Sequence, residues 1–372
     1  MWKTQAFTQA LIAIIFETIL LVFCDNVNDN ELVFAHVVYR HGNRTPLVSY
    51  PTDPWEARYN WNHGWGQLTN EGKRTQFHLG QWLRNRYRDL LSEIYSEDEI
   101  YVQTTEADRT LMSALSNLAG LYPPKGTDQW LSDMPWQPIP VHQIPKSMDH
   151  IISGTRHCPK FQQLLNQHMQ TDDYRTYFRS IKSILDYATH HSRKQIDSVV
   201  SLYDFYNCLD VEQENGFDLP AWTQKIYPEP LRSISAEMFR LHTNTTAMAR
   251  LKAGPMIKDI LTRFQDKVNG NLIPNRRLWV YSGHDITVVN LLNGLGLFKP
   301  HNPPYAACVM LELRIPKSGD SPYVSIYYKD SSGNPEPLDI PKCGQRCPLE
   351  RMFDLYKDII PSDWDRECEI QD

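Results

Sequence analysis

The segment Arg40-His41-Gly42-Asn43-Arg44-Thr45-Pro46 sets two guanidiniums on either side of one imidazole. Arginine presents several N–H donors in a rigid fork that matches phosphate oxygens. A histidine between two such forks is placed to attack phosphorus and not only to bind charge. Two further segments carry residues suited to the same chemistry. Thr104-Thr105-Glu106-Ala107-Asp108-Arg109-Thr110 puts Arg109 at an expected helix start, where free backbone N–H groups and the helix dipole favour an anion. On spacing alone a surface pairing of Arg109 with Glu106 or Asp108 is the stronger expectation, and Asp108 reads as a helix cap. Gly283-His284-Asp285 closes another strand and adds an imidazole and a carboxyl.

Brought together, these groups nearly specify a reaction. Arg40, Arg44, Arg109 and His284 would hold the oxygens of a phosphoryl group, and preorganised charge of this kind usually does most to speed phosphoryl transfer. His41 would attack phosphorus, and Asp285 would protonate the leaving oxygen. A free imidazole titrates near 6.5 and neighbouring guanidiniums push that lower, so His41 would stay nucleophilic in acid. If Asp285 must be protonated, the optimum is acidic. No cofactor and no metal is called for. His150, His157, His168, His190 and His191 lack H-E-x-x-H or paired-carboxylate spacing and read as solvated or structural.

The positioning elements follow from hydrophobic pattern. Leu32 to Tyr39 is an apolar run expected as a buried strand that ends at the first motif. Trp55 to Trp65 is aromatic and irregular, a rim beside the site. Thr69 caps an expected long helix with Leu79, Trp82, Leu83, Tyr87, Leu90, Leu91 and Ile94 on one face. Ile100–Thr104 reads as a strand, and a helix follows from near Ala107 to Gly120. A short strand near Ile139–His142 leads into helical pieces at Phe161–Met169, Tyr174–His190 and Lys194–Leu209. Arg277–Ser282 is a strand feeding a helix through Val289, Leu291 and Leu292. Cys308–Ile315 and Tyr323–Lys329 alternate about Ser318-Gly319-Asp320 as a hairpin, and Leu349–Ile360 is a final helix. Ligands of open α/β sheets bind at such carboxyl strand ends.

The whole chain sets bounds. At 372 residues it can bury a sizeable core, with 41% hydrophobic and 22% charged residues. A net charge of −6 argues against nucleic-acid or anionic-membrane binding, so positive potential must be local. Lys3, the apolar run Ala10–Phe23 broken by Glu17, and Val22-Phe23-Cys24 read as a signal peptide over residues 1–24. The run is shorter than the roughly 20 residues a membrane span needs, so no stable membrane anchor is expected. Secretion is the expectation, ahead of delivery to the lysosomal lumen. Removal of Cys24 leaves six cysteines, which allow 15 pairings in an oxidising compartment. Spacing suggests only Cys343–Cys347. Asn244-Thr245-Thr246 is a glycosylation sequon, whereas Asn43-Arg44-Thr45 lies inside the candidate site and is expected to stay bare.

Arg40-His41-Gly42-x-Arg44-x-Pro46 with His284-Asp285 resembles the histidine acid phosphatases, most closely the animal prostatic, lysosomal and insect secreted (venom-type) enzymes. Further matching stretches are Gly64-Trp65-Gly66-Gln67-Leu68-Thr69, Asp108-Arg109-Thr110-Leu111-Met112-Ser113-Ala114 and Asn117-Leu118-Ala119-Gly120-Leu121-Tyr122-Pro123-Pro124. The resemblance implies an α/β fold: a mixed central sheet flanked by helices, the phosphoglycerate-mutase-like histidine phosphatase core, with an inserted helical cap. The expected division is residues 25–135 and 244–372 for the core and 136–243 for the cap. His41 as nucleophile, Asp285 as proton donor, and Arg40, Arg44, Arg109 and His284 as phosphate ligands are implied as well. So are disulfides Cys158–Cys368, Cys208–Cys308 and Cys343–Cys347, a homodimer, and small phosphomonoester or phosphoprotein substrates. Where the family usually has Asp, this chain has Asn43. The His-Asp pair points away from those phytase relatives that place Ala-Glu after this histidine, so broad phosphomonoesters are expected ahead of inositol hexakisphosphate. The competing expectation is a secreted binding or allergen-like protein on an inactive phosphatase scaffold.

Overall fold

A computed structural model describes residues 30–330 and 333–370. The expected signal peptide, with Lys3, Ala10–Phe23 and Cys24, lies outside the described residues. The sheet is built around the first strand, β1 (Asn30–Arg40). Its odd-numbered side chains Ala35, Val37 and Tyr39 join one apolar cluster, while Phe34 and Val38 join another on the opposite face. A strand buried on both faces reads as a continuous apolar run, which is what Leu32–Tyr39 is.

The other strands are β2 (Ile100–Thr105), β3 (His142–Ile144), β4 (Leu278–Gly283), β5 (Cys308–Pro316), β6 (Tyr323–Lys329), β7 (Glu336–Leu338) and β8 (Cys347–Pro348). The sheet order is β3-β2-β4-β1-β5-β6-β7, with β8 paired to β6. β1 and β4 run parallel, as do β4 and β2, whereas β5 is antiparallel to β1. The carboxyl ends of β1, β2 and β4 therefore open on one edge. All three candidate segments begin there.

Helices α1 (Asn70–Arg86) and α2 (Asp108–Leu121) cover one sheet face. They cross closely because a Cβ on Gly80 would strike the Asn117 carbonyl. The hydroxyl of Thr69 caps α1, accepting from the Gly72 N–H. The helix stops at Arg86, earlier than its apolar pattern suggests. Leu90 and Leu91 are still buried, but through turns closed on the Tyr87 carbonyl, and Ile94 is exposed. Asp108 is not the cap of α2. Ala107 holds that position, and the Asp108 carboxylate accepts instead from the Gln67 side chain at 3.0 Å.

Between the strands lie α3 (Pro159–Met169), α4 (Asp172–Ser192), α5 (Val199–Glu214), α6 (Leu231–Leu241), α7 (Thr246–Lys252) and α8 (Gly254–Val268). The side chains of α4, α5 and α6 form an apolar cluster of their own, with Tyr50 and Val289 as its contacts to the sheet unit. The helix read as starting at Lys194 begins at Val199, because Ser198 caps it in a reciprocal pair with Ser201. Helix α9 (Asp285–Gly294) follows β4 and, with α8, covers the second sheet face. The final helical stretch is α10 (Leu349–Tyr356), then a turn, then α11 (Trp364–Cys368). No helix among the described residues is long and apolar enough to cross a membrane.

Disulfides join Cys158 to Cys368 and Cys343 to Cys347. The expected Cys208–Cys308 bridge is not formed. Both are buried thiols in different cores: Cys208 lies in the helical cluster, and Cys308 lies against α1 under the sheet. The helical layer and the sheet bury these two side chains in separate clusters.

Candidate active site

The loop after β1 is fixed before any ligand arrives. Gln76 donates to the Arg40 carbonyl at 2.8 Å, the Gly42 N–H donates to Ser113 Oγ at 3.1 Å, and the His41 N–H donates to the Gly283 carbonyl at 3.0 Å. Gly42 lies against the first turn of α1, where an added Cβ would collide with the Gly72 carbonyl. Arg40, His41 and Arg44 are 6%, 2% and 2% exposed, so this charge is fully built into the protein.

His41 Nδ1 is 2.8 Å from the Gly42 carbonyl. A carbonyl only accepts, so Nδ1 carries the proton and Nε2 keeps its lone pair. The imidazole is pushed well below its ordinary pKa, first by burial and then by the charges of Arg109, Arg40 and Arg44. The ring therefore stays neutral even in acid.

The candidate ligands converge from three strand ends. The Arg44 guanidinium donates to the Thr45 carbonyl at 3.0 Å and to Asn207 Oδ1 at 2.5 Å. Arg109 leaves Glu106 and Asp108 to other partners: Glu106 accepts from the Lys146 N–H, and Asp108 from Gln67. Arg109 Nη2 instead donates to His284 Nδ1 at 3.3 Å, and His284 Nε2 donates to Thr105 Oγ1 at 3.0 Å. Burial and the Arg44 charge bring Arg109 down to about 10, still protonated at any working pH. His284 is brought down to about 3 by burial and Arg109. The rings of His41 and His284 meet edge to face, 5.6 Å between centroids. Nε of Arg40, Arg44 and Arg109 has no hydrogen-bond partner among the described residues.

Asp285 stands at the start of α9, beside His284. Its Oδ2 meets Arg40 Nη2 at 3.1 Å and accepts from the Tyr203 hydroxyl at 2.8 Å, while Oδ1 accepts from the Ile286 N–H at 2.7 Å. Burial alone would raise its pKa, but Arg40, Tyr203 and His284 outweigh it and hold the carboxyl below its usual range. The Arg40 guanidinium also lies 4.0 Å from the centre of the Tyr305 ring and donates to the Pro303 carbonyl at 2.6 Å.

All six residues expected at the site, Arg40, His41, Arg44, Arg109, His284 and Asp285, thus surround one cup. The sequence reading missed its fourth wall. Tyr203, Asn207 and Glu214 lie at i, i+4 and i+11 of α5 and reach Asp285, Arg44 and Asn43 respectively. That polar stripe on a helix otherwise buried through Leu202, Phe205, Leu209 and Val211 was a usable signal. Asn43 is 7% exposed; it donates to Glu214 at 3.1 Å and accepts from Thr69 Oγ1 at 2.8 Å. Its amide has no room for a glycan. Trp55 and Trp61 of the expected rim pack on Phe217.

Away from the cup, ligand-type atoms of Asp53, Cys208 and Glu212 lie within 4.8 Å of one another. Asp53 is held by Ser49 and the Trp55 N–H, and the Cys208 thiol donates to Glu212 at 3.1 Å.

The family described as histidine phosphatase superfamily (branch 2) matches residues 31–329. The human lysosomal acid phosphatase is 33% identical over 373 residues, covering 99% of this chain and 86% of that protein. Human prostatic acid phosphatase is 34% identical over 346 residues, covering 91% of this chain and 88% of that protein. Among solved structures, the phytase from Citrobacter braakii superposes with a TM-score of 0.70 at 18% identity, over 92% of this chain and 100% of that one. The Hafnia alvei phytase in complex with myo-inositol hexakis sulphate gives 0.66 at 18% identity, over 92% and 99%. These phytases share the fold with this chain.

Proposed function

Because the chain belongs to the histidine phosphatase superfamily, branch 2, we propose that it is an acid phosphatase that hydrolyses phosphate monoesters through a phosphohistidine on His41. The observation that carries this reading is the His41 tautomer: Nδ1 is tied to the Gly42 carbonyl and Nε2 is free beside the buried guanidiniums of Arg40 and Arg44 and the half-buried one of Arg109. Arg40, Arg44 and Arg109 hold the phosphoryl oxygens and neutralise charge as it spreads over them, and His284 joins them through Nδ1–H once Arg109 turns to the phosphate and Thr105 donates to Nε2. Nε2 attacks phosphorus, the P–N bond forms, and the P–O bond to the ester oxygen breaks. Asp285 gives that oxygen its proton. Water then attacks the phosphohistidine, its proton passes to the Asp285 carboxylate, and phosphate leaves. Side chains supply all of this charge and proton traffic, so the reaction needs no metal.

Asp285 begins ionised against Arg40, which sets the condition for its role. A bound phosphate draws Arg40 towards its oxygens and brings negative charge near the carboxyl, and both raise its pKa. Low pH acts in the same direction. An acidic optimum follows.

The test is p-nitrophenyl phosphate hydrolysis with EDTA present, beside His41→Ala, together with a rapid alkaline quench to trap a base-stable phosphoenzyme. Activity peaking in acid, with phosphoenzyme in the wild type only, is expected. Equal trace rates in both proteins would leave a binding protein on an inactive scaffold as the reading. We further propose that the chain is secreted after loss of residues 1–24, that residues 136–243 act as a cap on a core of 25–135 and 244–372, and that it forms a homodimer. Asn244 supports glycosylation by being exposed, with its amide meeting only His168.

A further inference from the structure

Oxygen Oδ2 of Asp285 takes two hydrogen-bond donors from opposite sides: Arg40 Nη2 from the end of β1 at 3.1 Å and the Tyr203 hydroxyl from α5 at 2.8 Å. The two differ in what phosphate does to them. Arg40 belongs to the cationic set that phosphate engages, so its hold on Asp285 weakens as substrate binds. Tyr203 is fixed by a separate core, its ring edge to face with Phe239 of α6 at 5.2 Å. It is not part of the guanidinium set and has no reason to leave.

Resting on the phosphatase reading above, we propose that Tyr203 is a positioning residue for the Asp285 proton donor, holding Oδ2 in line with the leaving oxygen after phosphate has drawn Arg40 away. With Oδ1 kept by the Ile286 N–H, a carboxyl that lost both donors on Oδ2 could turn about its Cβ–Cγ bond. One retained hydrogen bond prevents this. When the proton resides on Oδ2 and points at the leaving oxygen, a lone pair of Oδ2 still accepts the phenol O–H, so the hydrogen bond is kept in weaker form. The charged and titratable groups acting on Asp285 are Arg40 from β1, Arg109 from α2, His284 beside it and Tyr203 from α5; behind them, Tyr305 from the loop before β5 faces Arg40, and His41 faces His284. Among them Tyr203 is the one donor to Asp285 that comes from the helical layer. Its hydrogen bond favours the ionised carboxyl, so removing it also moves the pH dependence.

The experiment compares wild type and Tyr203→Phe on two substrates. p-Nitrophenyl phosphate releases a phenolate that needs little protonation, whereas glycerol 2-phosphate releases an alkoxide that must be protonated. Losing a hydrogen bond to a charged group is expected to lower kcat/KM for glycerol 2-phosphate about 10-fold or more, and for p-nitrophenyl phosphate by less than about 3-fold. The alkaline limb of the glycerol 2-phosphate profile should move to higher pH. Competitive inhibition by inorganic phosphate, unchanged in the variant, reports that the cup is folded. Equal losses on both substrates, or an unmoved alkaline limb, would overturn the role of Tyr203. A wild type inactive on both substrates would instead overturn the phosphatase reading.

Discussion

Two regions of this molecule bury like charges together, and they resolve the conflict in opposite ways. In the cup, Arg40, Arg44 and Arg109 converge around His41 with a single carboxylate, Asp285, in salt-bridge contact among the described residues. In the helical layer, Glu212 is 0% exposed, lies beside Asp53 and Cys208, and has one carboxyl oxygen without a hydrogen-bond partner among the described residues. Burial and the Asp53 charge push Glu212 from 4.5 up to about 8. A carboxylate in that position neutralises itself by taking a proton. A guanidinium has no such outlet, because it cannot shed its proton at accessible pH. The cup therefore keeps its unbalanced charge until an anion supplies the balance, and the histidine within it gives up protonation instead.

Removing one cation from the cup should have the largest effect. Arg109→Gln takes away a guanidinium that has no carboxylate partner, and a loss of about 10³-fold or more in kcat/KM is expected. A loss below tenfold would mean that the cup does not depend on this charge. Asp285→Asn should separate substrates, costing about 10²-fold or more with glycerol 2-phosphate and much less with p-nitrophenyl phosphate.

The acidic region answers to pH. Glu212 has a folded pKa raised above its unfolded value, so folding is unpenalised below 4.5 and loses stability as pH rises towards 8. Glu212→Gln cannot ionise. Its thermal midpoint should fall less between pH 4.5 and 8 than that of the wild type, a difference on the order of 1–3 kcal/mol at the upper end. Parallel curves would show that Glu212 is not held neutral. The thiols offer a simpler check: denatured, unreduced protein should yield two titratable groups from Cys158 onward, Cys208 and Cys308. The smallest effect is expected at Asn43→Asp. In acid the introduced carboxyl shares a proton with Glu214, which Asn43 contacts at 3.1 Å, and kcat/KM should stay within about 3-fold at pH 5. Its deficit should widen towards pH 7 as both acids ionise.

Much of this was legible in the sequence because short-range chemistry governs it. The apolar run before Arg40, the Thr69 cap and the three strand-end motifs are local patterns, and each kept its place in the fold. What escaped was long-range. Tyr203 and Asn207 mark a polar stripe on α5, but what that stripe faces shows only once α5 is laid across the mouth of the cup. Arg109 could be placed with Glu106 or Asp108 by spacing, and only the tertiary contacts of those acids with Lys146 and Gln67 free it. Helix α1 ended early because turns on the Tyr87 carbonyl bury the same leucines that a longer helix would have buried. The pairing of Cys208 with Cys308 failed because the likeness carried connectivity, whereas two separate cores decide where the sulfurs lie.

The central place of β1 has a consequence for how the chain comes off the ribosome. Ala35 pairs with Leu278 on one side and with Glu312 on the other. Leu32 to Tyr39 thus emerges with neither neighbouring strand yet made, and roughly 240 residues must follow, tens of seconds of synthesis, before the first partner exists. Throughout that interval an apolar, β-prone segment has nothing native to pair with, the condition under which chains aggregate. His41, at its end, is made long before the strands that flank it, and the cup can close only after Asp285 has followed.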